Sequence, residues 1–225
     1  MRKITINLAA VAAFCIVVAS PALVSSSCAT PQTEQEDTTI IQEDLGITAL
    51  KYSSPEVPAS IEFCGKTIDL SRFDRHERMD RELLAFTYMH STSLQMLKKA
   101  NRYFPIVEPI LKENGIPDDF KYLMVIESNM NPTARSSAGA AGLWQFMQGT
   151  GRDYGLEVNN NVDERYHIEK ATRAACRYLK DAYAKYKDWV AVAASYNAGQ
   201  ARIASQLAKQ DVDDSLDLQL VEETA

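Results

Sequence analysis

Long apolar runs, histidine, glycine and proline are all scarce in this sequence, and each scarcity closes off a class of protein. The one extended apolar run, Leu8 to Ala19, is twelve residues long. A polytopic membrane protein needs several longer ones and is excluded. Nine glycines and eight prolines in 225 residues are too few for a collagenous or low-complexity chain. The three histidines, His76, His90 and His167, are scattered and match no zinc spacing. There is no Walker-type phosphate loop, and Gly149, Gly151 and Gly155 fail the dinucleotide-binding spacing. No Gly-x-Ser-x-Gly elbow and no internal repeat occur. A net charge of −6 speaks against a nucleic-acid binder held by bulk charge.

What is present is one domain of ordinary size with attachments. Its charge is uneven. Residues 50–210 carry 22 Lys+Arg against 19 Asp+Glu, whereas the last fifteen residues hold six acids and no base. The acid therefore lies in the ends, which read as solvated. At the start, Arg2 and Lys3 precede the Leu8–Ala19 run, and small residues follow as far as Ser27. This is the pattern of an export signal over residues 1–27, with a retained membrane anchor as the alternative. Cys28 follows that run and is a candidate lipid acceptor; Ser25 stands where an aliphatic residue is usual, and plain cleavage near Ala22 or Ser27 is the other reading. Cys64 and Cys176 remain in the mature chain. An oxidising compartment would allow them to pair, while the alanine-rich surroundings of Cys176 suit a buried free thiol.

Residues 28–60 are polar, acidic and without period, and read as a linker. Ile61 to Leu70 alternates around Gly65-Lys66 and suggests a small hairpin and lead-in over residues 61–73. From Asp74 the pattern is helical. A first helix ends near His90. A second is capped by Ser91 or Ser93 and is interrupted by Pro105 and Pro109, leaving a short helix from Ile106 to Glu113. A further helix runs from Phe120 to Ser128. Residues 133–151 are small and Gly-rich around Leu143-Trp144-Gln145-Phe146-Met147. A long helix over 168–186 buries a stripe of Ile168, Ala171, Ala175, Leu179, Ala182 and Tyr186. Asp188 caps the next, and a last helix runs from Ala201 to Lys209. The expected class is all-α, with the main domain at 74–210 and an acidic tail at 211–225.

Glu127 stands out. It follows Tyr122-Leu123-Met124-Val125-Ile126 at the end of a helix, so the preceding turn presents apolar side chains to it. Desolvation raises a carboxyl pKa, as a general acid at neutral pH requires. A Glu that turns outward or pairs with a base is the competing reading. Gly139, Gly142, Gln145, Tyr196 and Asn197 lie in small, tightly turned polar segments, which let a sugar chain approach the backbone.

Glu127-Ser128, then Asn131-Pro132, Ala134 and Ser136, then Gly139 to Met147, then Tyr196-Asn197-Ala198-Gly199 together resemble the lytic murein transglycosylases. The resemblance covers roughly residues 70–223 and is nearest to the membrane-bound lytic murein transglycosylase D group, which is similar in fold to goose-type lysozyme. It implies a lysozyme-like helical domain. It also implies cleavage of the β-1,4 bond between N-acetylmuramic acid and N-acetylglucosamine, with closure of a 1,6-anhydro ring. Glu127 matches the single catalytic acid/base. Ser128, Ser136, Gln145, Tyr196 and Asn197 match substrate-contacting positions. Leu143 and Trp144 read as floor and core.

No second carboxylate stands out; Asp153, Glu157, Asp163 and Glu164 read as surface or cap residues. Gln148 stands where the family usually has Pro, and Ser195 where it has Ala. The family continues past Glu222-Glu223-Thr224 into a helix bearing a Tyr, so the tail is expected to be truncated. The expected partner is peptidoglycan glycan strands, met by a monomer in the periplasm or cell envelope, with no cofactor, metal or nucleic acid. A hydrolytic muramidase of the same fold and a non-catalytic peptidoglycan-binding lipoprotein are the alternatives.

Overall fold

A computed structural model of the chain describes residues 54–210. The export signal, Cys28 and the acidic tail lie outside these residues. The described part is mainly helical with one small hairpin in front, as the lysozyme-like expectation requires.

Strands β1 (Ser60–Phe63) and β2 (Lys66–Asp69) pair antiparallel, with Phe63 opposite Lys66. Cys64 and Gly65 form the turn, both at positive φ (53° and 78°). Positive φ at both central residues is the two-residue turn whose twist suits a hairpin. The turn therefore falls one residue before the expected Gly65-Lys66. Asp119 accepts from the Cys64 N–H at 2.6 Å and ties the turn to the helical body. Phe63, Ile68 and Leu70 are buried, and the Phe63 ring meets Phe120 at 6.0 Å.

Helix α1 (Phe73–Tyr88) buries only Met79 and Leu83. Helix α2 (His90–Glu113) runs unbroken through Pro105 and Pro109, contrary to the expected interruption. The four-residue spacing puts both rings on one face, and that face is exposed. The helix forgoes two hydrogen bonds there while its opposite face, with Phe104, Val107 and Leu111, is anchored in the core. Neither Ser91 nor Ser93 caps α2. Its N-cap is Met89, without a side-chain bond, and Ser93 Oγ donates instead to the Phe86 carbonyl.

The expected Phe120–Ser128 helix is two pieces. A 3-10 turn (Asp118–Tyr122), in which the Phe120 N–H donates to the Pro117 carbonyl, leads into α3 (Leu123–Ser128). After a loop come α4 (Gln148–Asp153), a 3-10 turn (Glu164–Tyr166), α5 (Ile168–Tyr186), α6 (Trp189–Ala198) and α7 (Gln200–Gln210). Asp188 caps α6 as expected, accepting from the Val190 N–H at 3.0 Å. Helix α5 packs on α2 and on α6, and its Ala171, Ala174, Ala175, Leu179 and Ala182 are all buried. Cys176 is buried with its Sγ 4.0 Å from the Ile110 carbonyl of α2, and no disulfide joins Cys64 and Cys176. Helix α6 is apolar nearly all round, as a helix enclosed by its neighbours should be. Among the described residues no helix is long and apolar enough to cross a membrane.

Candidate active site

Glu127 lies in the last turn of α3, above Leu123 and Met124, which are 1% and 0% exposed. Burial alone pushes its carboxyl from an ordinary 4.5 up to about 7. Among the described residues it has no ion-pair partner in Lys or Arg. The outward-turned or base-paired alternative is thereby set aside. Just beyond it Asn129 and Met130 are both left-handed (φ 49° and 51°) and turn the chain sharply out of the helix. Lys99 holds this bend by donating to the Asn129 carbonyl at 2.9 Å.

Ser128 is buried. Its Oγ lies 2.9 Å from the Met124 carbonyl and 3.0 Å from the Leu143 carbonyl, so the hydroxyl links α3 to the loop that carries Gln145. That loop is knitted by its own backbone. The Ser136 N–H donates to the Ala140 carbonyl, and Ser136 Oγ accepts from the Ala140 N–H at 3.0 Å. The Ala141 N–H donates to the Phe146 carbonyl, and the Gly142 N–H to that of Ala134. Gly142 has no substitute: at φ 79° it lies so near the next segment that a Cβ would stand 1.9 Å from the Arg165 carbonyl.

Gln145 has a left-handed backbone at φ 49°, which costs a side-chain-bearing residue about 1–2 kcal/mol. Its Nε2 donates to the carbonyls of Gly142 (2.8 Å) and Ala134 (3.3 Å), so Oε1 is the end left to meet a ligand. Leu143 and Trp144 are core, as expected. The Trp144 indole donates to Thr172 Oγ1 at 3.0 Å, and that hydroxyl donates to the Ile168 carbonyl.

Tyr196 on α6 donates its hydroxyl to the Trp144 carbonyl at 2.8 Å. Its ring packs against Trp144 at 6.5 Å and against Tyr178 of α5 at 5.2 Å. Burial, then the nearby charge of Glu127, drives the Tyr196 phenol well up. The same two influences raise Tyr178, while a hydrogen bond from Gln200 opposes them. Both tyrosines thus share the surroundings of Glu127. Asn197 is exposed at the end of the same helix.

Hydrogen bonds therefore gather Ser128, Gln145 and Tyr196 on the segment from Gly142 to Gln145, with Glu127 next to Ser128 in the chain and within electrostatic reach of Tyr196; Ser136 belongs to the turn at the start of the loop, and Asn197 is exposed beside Tyr196. Ser128 and Tyr196 spend their hydroxyls on backbone carbonyls, which makes them braces of the site's walls. The sequence reading did not single out Tyr178, or the Asp163–Arg165 pair that lies behind the loop. Among the described residues no group of three or more His, Cys, Asp or Glu side chains could hold a metal ion.

This geometry coincides with a stretch of relatedness to known proteins. The chain is 31% identical over 128 residues to membrane-bound lytic murein transglycosylase D of Escherichia coli K12, covering 56% of this chain and 27% of that relative. It thus spans about a quarter of that relative's length. It is 33% identical over 95 residues to peptidoglycan transglycosylase gp16 of Escherichia phage T7, covering 41% of this chain and 7% of that one. A 117-residue stretch is 23% identical to a putative tributyltin chloride resistance protein of Alteromonas sp. strain M-1, over 52% and 56% of the two chains. Residues 105–217, half of the sequence and every residue of the cluster around Glu127, match the family described as the transglycosylase SLT domain, and the chain belongs to that family.

Proposed function

We propose that the protein is a peptidoglycan lytic transglycosylase that cuts the β-1,4 bond between N-acetylmuramic acid and N-acetylglucosamine, with Glu127 as its single acid/base. The observation that carries this reading is the Glu127 carboxyl itself: partly buried, without a basic partner among the described residues, and raised to about 7 by desolvation alone. Such a group holds a proton near neutrality and can give it up.

In the first step Glu127 protonates the glycosidic oxygen. The bond to C1 of the muramic acid breaks, and positive charge spreads over C1 and the ring oxygen. The carboxylate now beside C1 takes the proton of the muramic acid C6 hydroxyl, whose oxygen closes on C1. The 1,6-anhydro ring forms, Glu127 recovers its proton, and no water is consumed. An intramolecular hydroxyl has a high effective concentration, so no second carboxylate is needed to activate water. The surrounding acids fit this scheme: Asp163 is bound by Arg165, and Glu164 by Lys170 and the Glu157 N–H. Gln145 Oε1 and Asn197 are the polar groups we assign to sugar contacts. Ser136 shapes the rim of the loop, and Ser128 and Tyr196 hold the walls.

We assign residues 1–27 to export and Cys28 to lipid attachment, which would tether the catalytic domain to an envelope membrane through the 28–60 linker. The membrane-bound and murein-directed character in the name of the Escherichia coli relative supports this placement. Replacing Glu127 by Gln tests the assignment. The amide is nearly isosteric but supplies no proton, so release of anhydro-muramic ends should fall by about 10²–10⁴-fold in a protein that still folds. Turnover within threefold of the wild type would end the claim for Glu127.

A further inference from the structure

The loop that carries Gln145 is gripped from behind by a residue that contacts nothing in the proposed reaction. Arg165 is 2% exposed. Its Nε and Nη2 donate to the two carboxylate oxygens of Asp163, at 2.9 and 2.7 Å. Its Nη1 donates to the carbonyls of Gly139 (2.8 Å) and Phe146 (2.9 Å). These carbonyls bracket the turn from Gly139 to Phe146. One planar group thus spans an anchor and both ends of the turn, which a point charge such as lysine cannot do. The backbone carbonyl of the same residue sits against Gly142, and its side-chain methylenes lie against Gly151.

Gln145 needs such a grip. Its left-handed backbone is unfavourable for a residue with a side chain and persists only where neighbours enforce it. The carbonyl before it is held by Tyr196 and the carbonyl after it by Arg165. The Tyr196 brace is one that the sequence motif already singles out. The Arg165 brace comes from residues 19 and 26 positions away and has no counterpart in it.

We propose that Arg165, oriented by Asp163, is a positioning residue of the site: it holds the Gly139 and Phe146 carbonyls and thereby keeps the Gln145 turn in the shape that a glycan strand meets. The second half of this statement rests on the proposed function; the first does not. The Asp163 carboxyl is held below the usual range, first by its hydrogen bond from Arg165 and also by the charge of Arg135, so the anchor stays ionised.

Arg165→Lys in the full chain tests the inference through two independent readouts. The first is backbone amide exchange. The Ala141 and Gln145 amides, bonded within the turn, and the Gly142 amide, which ties the turn to the Ala134 carbonyl, should exchange at least about tenfold faster, while those of α5 keep wild-type rates. The second is cleavage of purified glycan strands. The kcat/KM should fall by about 10- to 100-fold, the extent that misplacement of positioning groups produces, with the pH limb of Glu127 unmoved. Combined with Gln145→Ala, the loss should be clearly smaller than the product of the two single losses, because both changes act through one side chain. Asp163→Asn, at a side chain 25% exposed, should act in the same direction and more weakly, and decides the matter if the lysine variant does not fold. Unchanged exchange in the turn, multiplicative losses, or global unfolding of both variants would overturn the proposal. If the wild type releases no anhydro ends, the proposed function fails, and the exchange readout alone still decides whether Arg165 holds the turn.

Discussion

A carboxyl raised to about 7 by burial leaves a mark on stability as well as on rate. Below the ordinary Glu value of 4.5, folded and unfolded chains both hold the proton, and the folded state has its full relative stability. Between about 4.5 and about 7 the unfolded chain has lost the proton while the folded chain keeps it, so stability falls as pH rises through that window and then levels off. Glu127→Gln removes the penalty. The variant should match the wild type in melting temperature near pH 4 and exceed it near pH 8, by on the order of 3 kcal/mol at most. Equal melting temperatures at both pH values would mean that Glu127 is better solvated than its neighbours imply. The rate should carry the same signature, with kcat/KM declining above about pH 7 as the general acid loses its proton. Two glycines of the Gln145 turn give a second contrast at this scale. Gly142→Ala places a methyl against the rigid Arg165 backbone at φ 79°, whereas Gly139→Ala at φ 90° meets open space. Thermal unfolding should show a loss of about 3 kcal/mol or more for the first and about 1–2 kcal/mol, the conformational cost alone, for the second.

Among the elements, α2 shows where local propensity loses to packing. Pro105 and Pro109 each remove a backbone donor, yet the helix continues because the prolines share the solvent side and the other side is anchored along its length. Pro105→Ala would return the donor for the Asn101 carbonyl. The gain in helix propensity should exceed the added freedom of the unfolded chain and raise stability by about 1–2 kcal/mol. A lowered melting temperature would show that the ring is needed where it stands. Much of the remaining architecture was legible beforehand. The α5 stripe at 168–186, the Asp188 cap and the hairpin are announced by local signals: a helical period, a capping side chain and an alternating pattern about a turn. Glu127 was legible for the same reason, since its desolvation comes from its own helix. The turn at Cys64-Gly65 was misplaced by one residue because cysteine carries no signal for positive φ. Gln145 gives none either, so its left-handed backbone had to be seen. Arg165 was not singled out because the carbonyls it binds are brought to it only by the folded loop.

On the scale of the whole molecule, α5 is the plate against which the site is assembled. It packs on α2, while Thr172 holds the Trp144 indole and Tyr178 packs on Tyr196. Tyr186 donates to the Gln200 carbonyl, where α7 begins beyond the Asn197 turn. The 3-10 turn before α5 supplies Arg165 to the Gln145 loop. Glu127 joins this assembly through its neighbour Ser128, whose hydroxyl meets the Leu143 carbonyl. One acid with no ionised partner among the described residues, beside a braced turn to which the proposed function assigns the sugar contacts, makes up the chemistry proposed for this arrangement. The most direct test is mass spectrometry of the fragments released from purified sacculi by the wild-type chain. The account predicts muropeptides ending in 1,6-anhydro-muramic acid, lost in Glu127→Gln. Fragments ending in reducing muramic acid, which require water as the acceptor, or glycan that is bound but left uncut, would contradict it.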